Sequence, residues 1–276
     1  MIALIILLLF VAFALVIFAN KKSGSLSDPN PQLGGAFPPR WEYILKQNVP
    51  LAYRLTDEQQ QRLRKMIRLF IRDVDFEGAG GLRITDEIRV TIAANACLMV
   101  LGNGRLFRRL RSIIIYPTMY RPVAHDHTGN LMVSDNYQLG ESWGDGYVVL
   151  AWDAVVEGAR DPDNGNNVVI HEFAHQLDQE DVDTDGNPIG DEGWDDGYAT
   201  GSYWAEQLLR DFGHLRAKLE QGEDPVLDEY GAESPVEFFA VATETFFEKG
   251  RELKQHYPEL YKTLQEFYQL DPAAWR

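Results

Sequence analysis

The stretch Val168-Val169-Ile170-His171-Glu172-Phe173-Ala174-His175-Gln176-Leu177-Asp178 sets two histidines four positions apart, with a glutamate directly after the first. On a helix that spacing puts the two imidazoles one turn above each other on one face, where both reach a single ion. Zinc suits imidazole nitrogens, and a catalytic zinc site takes one further protein ligand while keeping a position open for water. Glu172 stands beside the pair, placed to take the proton from a water that attacks a carbonyl. Ile170, Phe173, Ala174 and Leu177 fall at i, i+3, i+4 and i+7 as an apolar stripe, leaving Val168, His171, Glu172 and His175 on the other side. The plainer alternative is a pair of surface or core-satisfied histidines, and this flanking pattern weighs against it.

The third ligand has to come from elsewhere. His214, Glu233, Glu237, Glu244, Glu248 and His256 are downstream candidates that spacing does not separate. Ser234-Pro235-Val236-Glu237 opens a second helix, with Ser234 as N-cap, proline at the first helical position, and Val236, Phe239, Ala240, Thr243 and Phe247 as the inward stripe. Glu237 occupies the acid position of a capping box, so the residues alone leave it open between cap and ligand. Glu244 lies two turns further on nearly the same face, where it can orient a ligating histidine, although a solvated helix glutamate is the simpler expectation.

The segments HEFAHQLD (171–178), DEYGAESPVEFFAVATETFF (228–247) and EFYQLDP (266–272) resemble the Mlc titration factor A family of zinc-dependent peptidases, related to the lethal-factor-like peptidases. The resemblance runs from Trp41 to the C-terminus. In that family the two histidines of HExxH and a glutamate in a Pro-x-Glu-x-Phe context bind zinc, which implies His171, His175 and Glu237 as ligands here. The resemblance also implies a catalytic role for Tyr230, whose phenol would donate a hydrogen bond to a developing oxyanion; an ordinary loop tyrosine is the alternative. The implied fold is α+β, a zincin-like metallopeptidase domain that is helix-rich with a small mixed sheet. The implied activity is hydrolysis of a peptide or protein substrate, aminopeptidase-like, with Glu172 as general base. Because the family is named for binding a transcriptional repressor, a regulator that sequesters a repressor or another partner, with the zinc site secondary, is the competing expectation. A purely structural zinc fits least, since such sites fill four positions with protein ligands, often cysteines, and Cys97 is the sole cysteine.

The rest of the chain bounds these readings. Among 276 residues, 42 acidic side chains against 26 basic give a formal charge of -16, and no basic cluster accumulates that would neutralise a run of phosphates, which excludes nucleic acid as a partner. Cys97 lies in the apolar run from Ala93 to Leu101 and reads as a buried thiol. Met1–Asn20 carries no charged side chain, and at about 1.5 Å per residue it matches the roughly 30 Å hydrocarbon core of a bilayer. It therefore reads as one N-terminal transmembrane helix, an anchor that departs from the soluble members of the family. Lys21 and Lys22 follow directly, which predicts the N-terminus outside and the catalytic domain in the cytoplasm. Cleavage of residues 1–20 as a secretory signal, leaving a secreted or periplasmic protein, is the alternative, but no basic residue precedes Ile2. Residues 21–40, rich in Ser, Gly, Pro and Asn, read as a flexible linker, and 41–276 as the metallopeptidase domain.

Within that domain, Thr56 and Gln59 form a capping-box pattern ahead of Leu63, Met66, Ile67 and Phe70, predicting an amphipathic helix over Asp57–Val74. Arg89–Val100 reads as a buried helix, and Ile113–Tyr116 and Gly146–Trp152 as strands. The second strand precedes the HExxH helix, a place where a peptide substrate can add as a further strand. The acidic loop 181–192 satisfies the EF-hand spacing D-x-D-x-D-G with a closing Glu192, which admits calcium. Pro188 and the glycines at 190, 193 and 197 count against it, and a solvated turn is the alternative.

Overall fold

Proline at the first turn opens α1 (Pro39–Asn48). The next helix, α2 (Asp57–Asp73), starts at a closed capping box: the Gln59 backbone N–H donates to Thr56 Oγ1 at 3.3 Å, and the Thr56 N–H donates to Gln59 Oε1 at 3.1 Å. Leu63, Met66, Ile67 and Phe70 are all buried, as their spacing predicts. The buried helix α3 (Asp86–Met99) begins a turn earlier than its apolar pattern, because the Thr85 hydroxyl accepts the Ile88 N–H at 3.4 Å. Every residue from Val90 to Met99 is buried, Cys97 included, and burial pushes that thiol far above its ordinary range.

The computed structural model describes residues 36–104, 107–118, 123–125, 131–133, 140–143, 146–180 and 203–275. Pro38–Arg276 form one compact unit, divided from Met1–Phe37. The apolar span Met1–Asn20 and the acidic loop 181–192 fall outside the described residues. Among the described residues, no helix is long and apolar enough to cross a membrane.

Among the described residues the strands are β1 (Asp75–Gly78), β2 (Ser112–Tyr116), β3 (Val123–His125), β4 (Leu131–Val133), β5 (Gly140–Trp143) and β6 (Tyr147–Ala151). One sheet runs β1-β2-β6-β5, with β1, β2 and β6 parallel and β5 antiparallel; β3 and β4 pair separately. In register, Ile113 stands beside Val148 and Ile115 beside Leu150, all four buried, which gives the near-continuous apolar runs of a sheet covered on both faces. Gly146 turns into β6 at φ 86°, where a Cβ would meet the Arg109 carbonyl oxygen at 2.1 Å.

This topology corrects one expectation. The strand before the HExxH helix, β6, has β2 on one side and β5 on the other, so both of its edges are already paired and no peptide can add to it. Among the described residues, the outer strand on that side is β5.

After β6 come α4 (Trp152–Arg160), α5 (Val168–Glu180), α6 (Tyr203–Glu220), α7 (Pro235–Glu248), α8 (Gly250–His256) and α9 (Pro258–Tyr268). The helix α5 carries HExxH and packs against α3, α4, α7, β5 and β6. Its underside is held by Phe173, whose ring centroid lies 4.8 Å from that of Phe107 and 5.9 Å from that of Phe70. Enclosure on so many sides buries Gln176 and Asp178, which a two-faced helix would expose, while Leu177 is only half-buried. On the other side of α7, Phe246 and Phe247 lock into Tyr268 at 5.5 and 5.0 Å. The seam between α5 and α7 is therefore fixed from both directions.

Candidate metal centre

Two helices bring the site together. His171 and His175 project from one face of α5 with ring centroids 4.9 Å apart, as the i, i+4 relation requires. Glu237 projects toward them from the first turn of α7. There, Ser234 caps the helix by accepting the Glu237 N–H at 3.2 Å. The reciprocal half of a capping box is absent from this cap, and the Glu237 carboxylate points to the histidines instead. Of the two roles that the sequence left open for Glu237, the cap is filled by Ser234, and the carboxylate is turned toward His171 and His175.

The Glu237 Oε2 atom lies 3.0 Å from His171 Nε2 and 3.6 Å from His175 Nε2, and the three ligand atoms all lie within 4.8 Å of one another. Ligands held 2.0–2.1 Å from a tetrahedral zinc stand roughly 3.3 Å apart, so the spacing fits such an ion. Two imidazole nitrogens and one carboxylate oxygen also make the donor set of a site that leaves a fourth position for water.

On the opposite ring edge, His171 Nδ1 meets Glu244 Oε1 at 2.8 Å. With its Nδ1–H donated to that carboxylate, the ring would give up its proton to a metal at Nε2, which faces Glu237 and His175. Glu244 is 5% exposed, not the solvated helix residue that its position suggested. Its second oxygen accepts the backbone N–H of Asn167. Burial raises its pKa, against the opposing pull of His171 and that N–H.

Electrostatics draw positive charge to this point. For His171, burial favours the neutral ring, but Glu237 and then Glu244 overcome it and hold the pKa well above the usual histidine value. Burial likewise works against the Glu237 charge, and the two histidines reverse it, holding its pKa at about 2. Glu172 is buried, and its charge is felt at both His171 and Tyr230.

Tyr230 lies on the short 3-10 turn Glu229–Ala232, where the Asp228 side chain accepts the Tyr230 N–H at 2.9 Å. The ring is 45% exposed with its centroid 5.8 Å from that of His171. Partial burial, then the carboxylates of Glu237, Glu233 and Glu172, push the phenol up to about 12, so it keeps its proton and remains a donor.

The other third-ligand candidates take different places. Glu248 turns to the N–H of Gly165 at 3.0 Å, and His214 stacks edge-on with Tyr257 at 5.8 Å. Among the described residues, His171, His175 and Glu237 are the one group that could hold a metal ion. Asn167, which supports Glu244, gave no signal in the sequence beyond that of an asparagine just ahead of a helix.

Comparison with known proteins agrees with this geometry. Residues 31–269 match the model of a family described as glucose-regulated metallo-peptidase M90. An uncharacterized protein of Synechocystis sp. is 37% identical over 239 residues, covering 85% of each chain. Proteins named Mlc titration factor A are similar too. That of Pectobacterium atrosepticum is 28% identical over 82% of this chain and 85% of its own, and that of Yersinia pestis 27% identical over 85% and 86%.

Proposed function

We propose, given that the chain belongs to the glucose-regulated metallo-peptidase M90 family, that it is a zinc-dependent peptidase with Glu172 as its general base. The observation that carries this reading is the convergence of His171 Nε2, His175 Nε2 and Glu237 Oε2 from two helices at ligand spacing. Zinc held by these three atoms would supply Lewis acidity, lowering the pKa of a bound water and polarising the scissile carbonyl. Glu172, one residue along from the first ligand, takes the proton of the attacking water and returns it to the departing amine. Tyr230, protonated up to about pH 12, donates to the oxyanion that develops on the carbonyl. The substrate is a peptide held in extended form along the outer edge of β5, a strand of the main sheet that packs against α5. Short peptides opened at the amino end are the substrates to try first.

The test measures bound zinc and cleavage of a mixed library of short peptides by the full chain, Glu172→Gln and His175→Ala. One zinc per chain, retained in Glu172→Gln and lost in His175→Ala, with cleavage abolished in both, is the expected pattern. A wild-type chain that takes up no zinc would overturn the reading.

A second reading rests on the relatives named Mlc titration factor A. In it the chain binds a repressor or comparable regulatory protein, and the metal site serves that contact. Glu172→Gln separates the two: a biological effect that survives the substitution, with zinc content unchanged, belongs to binding rather than hydrolysis. In either case Met1–Asn20 would anchor the chain, with Lys21 and Lys22 on the cytoplasmic side together with the site. Release of the full chain from membranes by an alkaline wash would refute that placement.

A further inference from the structure

Asn167 is 1% exposed and uses all of its hydrogen-bonding groups. Its carbonyl accepts the His171 N–H at 2.9 Å, and its side-chain oxygen accepts the Ile170 N–H at 3.3 Å, which makes it the N-cap of the HExxH helix α5. Its own N–H donates to Glu244 Oε2. Its side-chain Nδ2 donates to Glu248 Oε1 at 3.0 Å and to Asn95 Oδ1 at 3.1 Å. Asn95 is fixed in turn, since its Nδ2 donates to the Thr91 carbonyl at 2.9 Å within α3.

Capping alone does not select this residue. Serine, threonine and aspartate supply an equivalent acceptor to the first turn of a helix. What only a primary amide adds is a pair of N–H donors on the same side chain, and here both are spent, one on α7 and one on α3. The junction is also hemmed in sideways. Gly158 of α4 lies so close that a Cβ there would meet the Asn166 carbonyl oxygen at 2.7 Å and Asn167 Cα at 3.0 Å. Asn167 therefore ties α3, α5 and α7 at one buried point. From that point its N–H holds the carboxylate that holds His171.

We propose that Asn167 is a positioning residue for the metal centre, setting the orientation of His171 through Glu244 by its amide contacts to Glu248 and Asn95. The inference rests on the reading of His171, His175 and Glu237 as a metal site. It adds a cause that lies outside that site: the junction ahead of the helix, not the motif alone, fixes where His171 Nε2 sits.

The experiment compares the full chain with Asn167→Ser, Asn167→Asp and the double variant Asn167→Asp/Glu248→Gln. Zinc affinity is read by competition with a chromophoric chelator, and ligand geometry by the visible absorption of Co2+ in the same site. Asn167→Ser keeps a cap acceptor, introduces no charge and removes both amide N–H donors. Zinc affinity should fall about tenfold and the Co2+ bands should shift, with the far-UV circular dichroism retained. Asn167→Asp sets a carboxylate against Glu248 and is expected to lose at least as much. Glu248→Gln in that background returns a donor–acceptor pair with its direction reversed, and should recover most of the lost affinity. A folded Asn167→Ser that binds zinc within twofold of wild type overturns the proposal, as does an Asp variant that Glu248→Gln leaves unimproved. If the wild-type chain binds no zinc, the metal-site reading itself has failed; wild-type binding that is insensitive to Asn167 fails this inference alone.

Discussion

Replacing Glu244 by alanine removes a carboxylate outside the three candidate ligands, yet it should weaken metal binding more than that position suggests. In the native site one Glu244 oxygen faces His171 Nδ1 at 2.8 Å and the other accepts the Asn167 N–H. Alanine leaves both donors buried without a partner, and each such group costs about 1–3 kcal/mol. Against this stands relief from holding a carboxyl that burial disfavours in its charged form. The net loss of stability is expected to be about 1–4 kcal/mol, which at about 2–4 °C per kcal/mol in a domain of this size is readily seen by calorimetry. Loss of the group orienting a ligating histidine weakens metal binding by about 10–100-fold. Glu244→Gln should fall between, because one oxygen can still accept from His171 while its amide nitrogen confronts the Asn167 N–H. Chelator competition on wild type, Glu244→Gln and Glu244→Ala should therefore give affinities descending in that order. A folded Glu244→Ala chain with zinc affinity within twofold of wild type would refute the reasoning, since His171 would then be held by packing alone.

Zinc uptake should release more protons at pH 7.5 than displacement from a histidine of ordinary pKa would give. In the metal-free chain Glu237 and Glu244 raise the pKa of the His171 ring, whereas a histidine of ordinary pKa would release about a tenth of a proton. Calorimetry in buffers of differing ionisation enthalpy reads the number, and apparent affinity should fall as pH is lowered. Stripping the metal should lower the melting temperature by about 5–10 °C relative to the chain held at one hundred times the dissociation constant, a difference that His175→Ala should erase. Phe173→Ala, which empties the contact of α5 with Phe70 and Phe107, is expected to cost about 3–5 kcal/mol in urea unfolding.

Much of the site was legible because its instructions are local. The HExxH spacing, the Thr56–Gln59 capping box and the Ser234-Pro235 helix start each act within a turn or two, and each forms as its residues dictate. What was illegible is what depends on which helix lies against which. Glu244 reads as a helix-surface glutamate until α7 is laid on α5, where its partner His171 stands 73 positions away along the chain. The same holds for β1, whose residues are largely exposed and carry no alternation that would mark a strand. It is paired because β2 offers it an edge.

The division of labour at the start of α7 shows why Glu237 was undecidable from its position. A glutamate three residues after a capping serine ordinarily returns its carboxylate to the backbone, and nothing in Ser234-Pro235-Val236-Glu237 forbids it. The pull of His171 and His175 on the carboxylate outweighs that return. The histidines draw the carboxyl down to a pKa of about 2, whereas a single backbone N–H contributes about 1 kcal/mol. Ser234 alone is enough to start the helix, so the competition is settled in favour of the site. The same logic applies at the head of α5, where Asn167 keeps its cap and still reaches two other helices. Each helix of the centre thus begins at a polar residue that satisfies its own first turn, which leaves the following carboxylate and imidazoles to face one another.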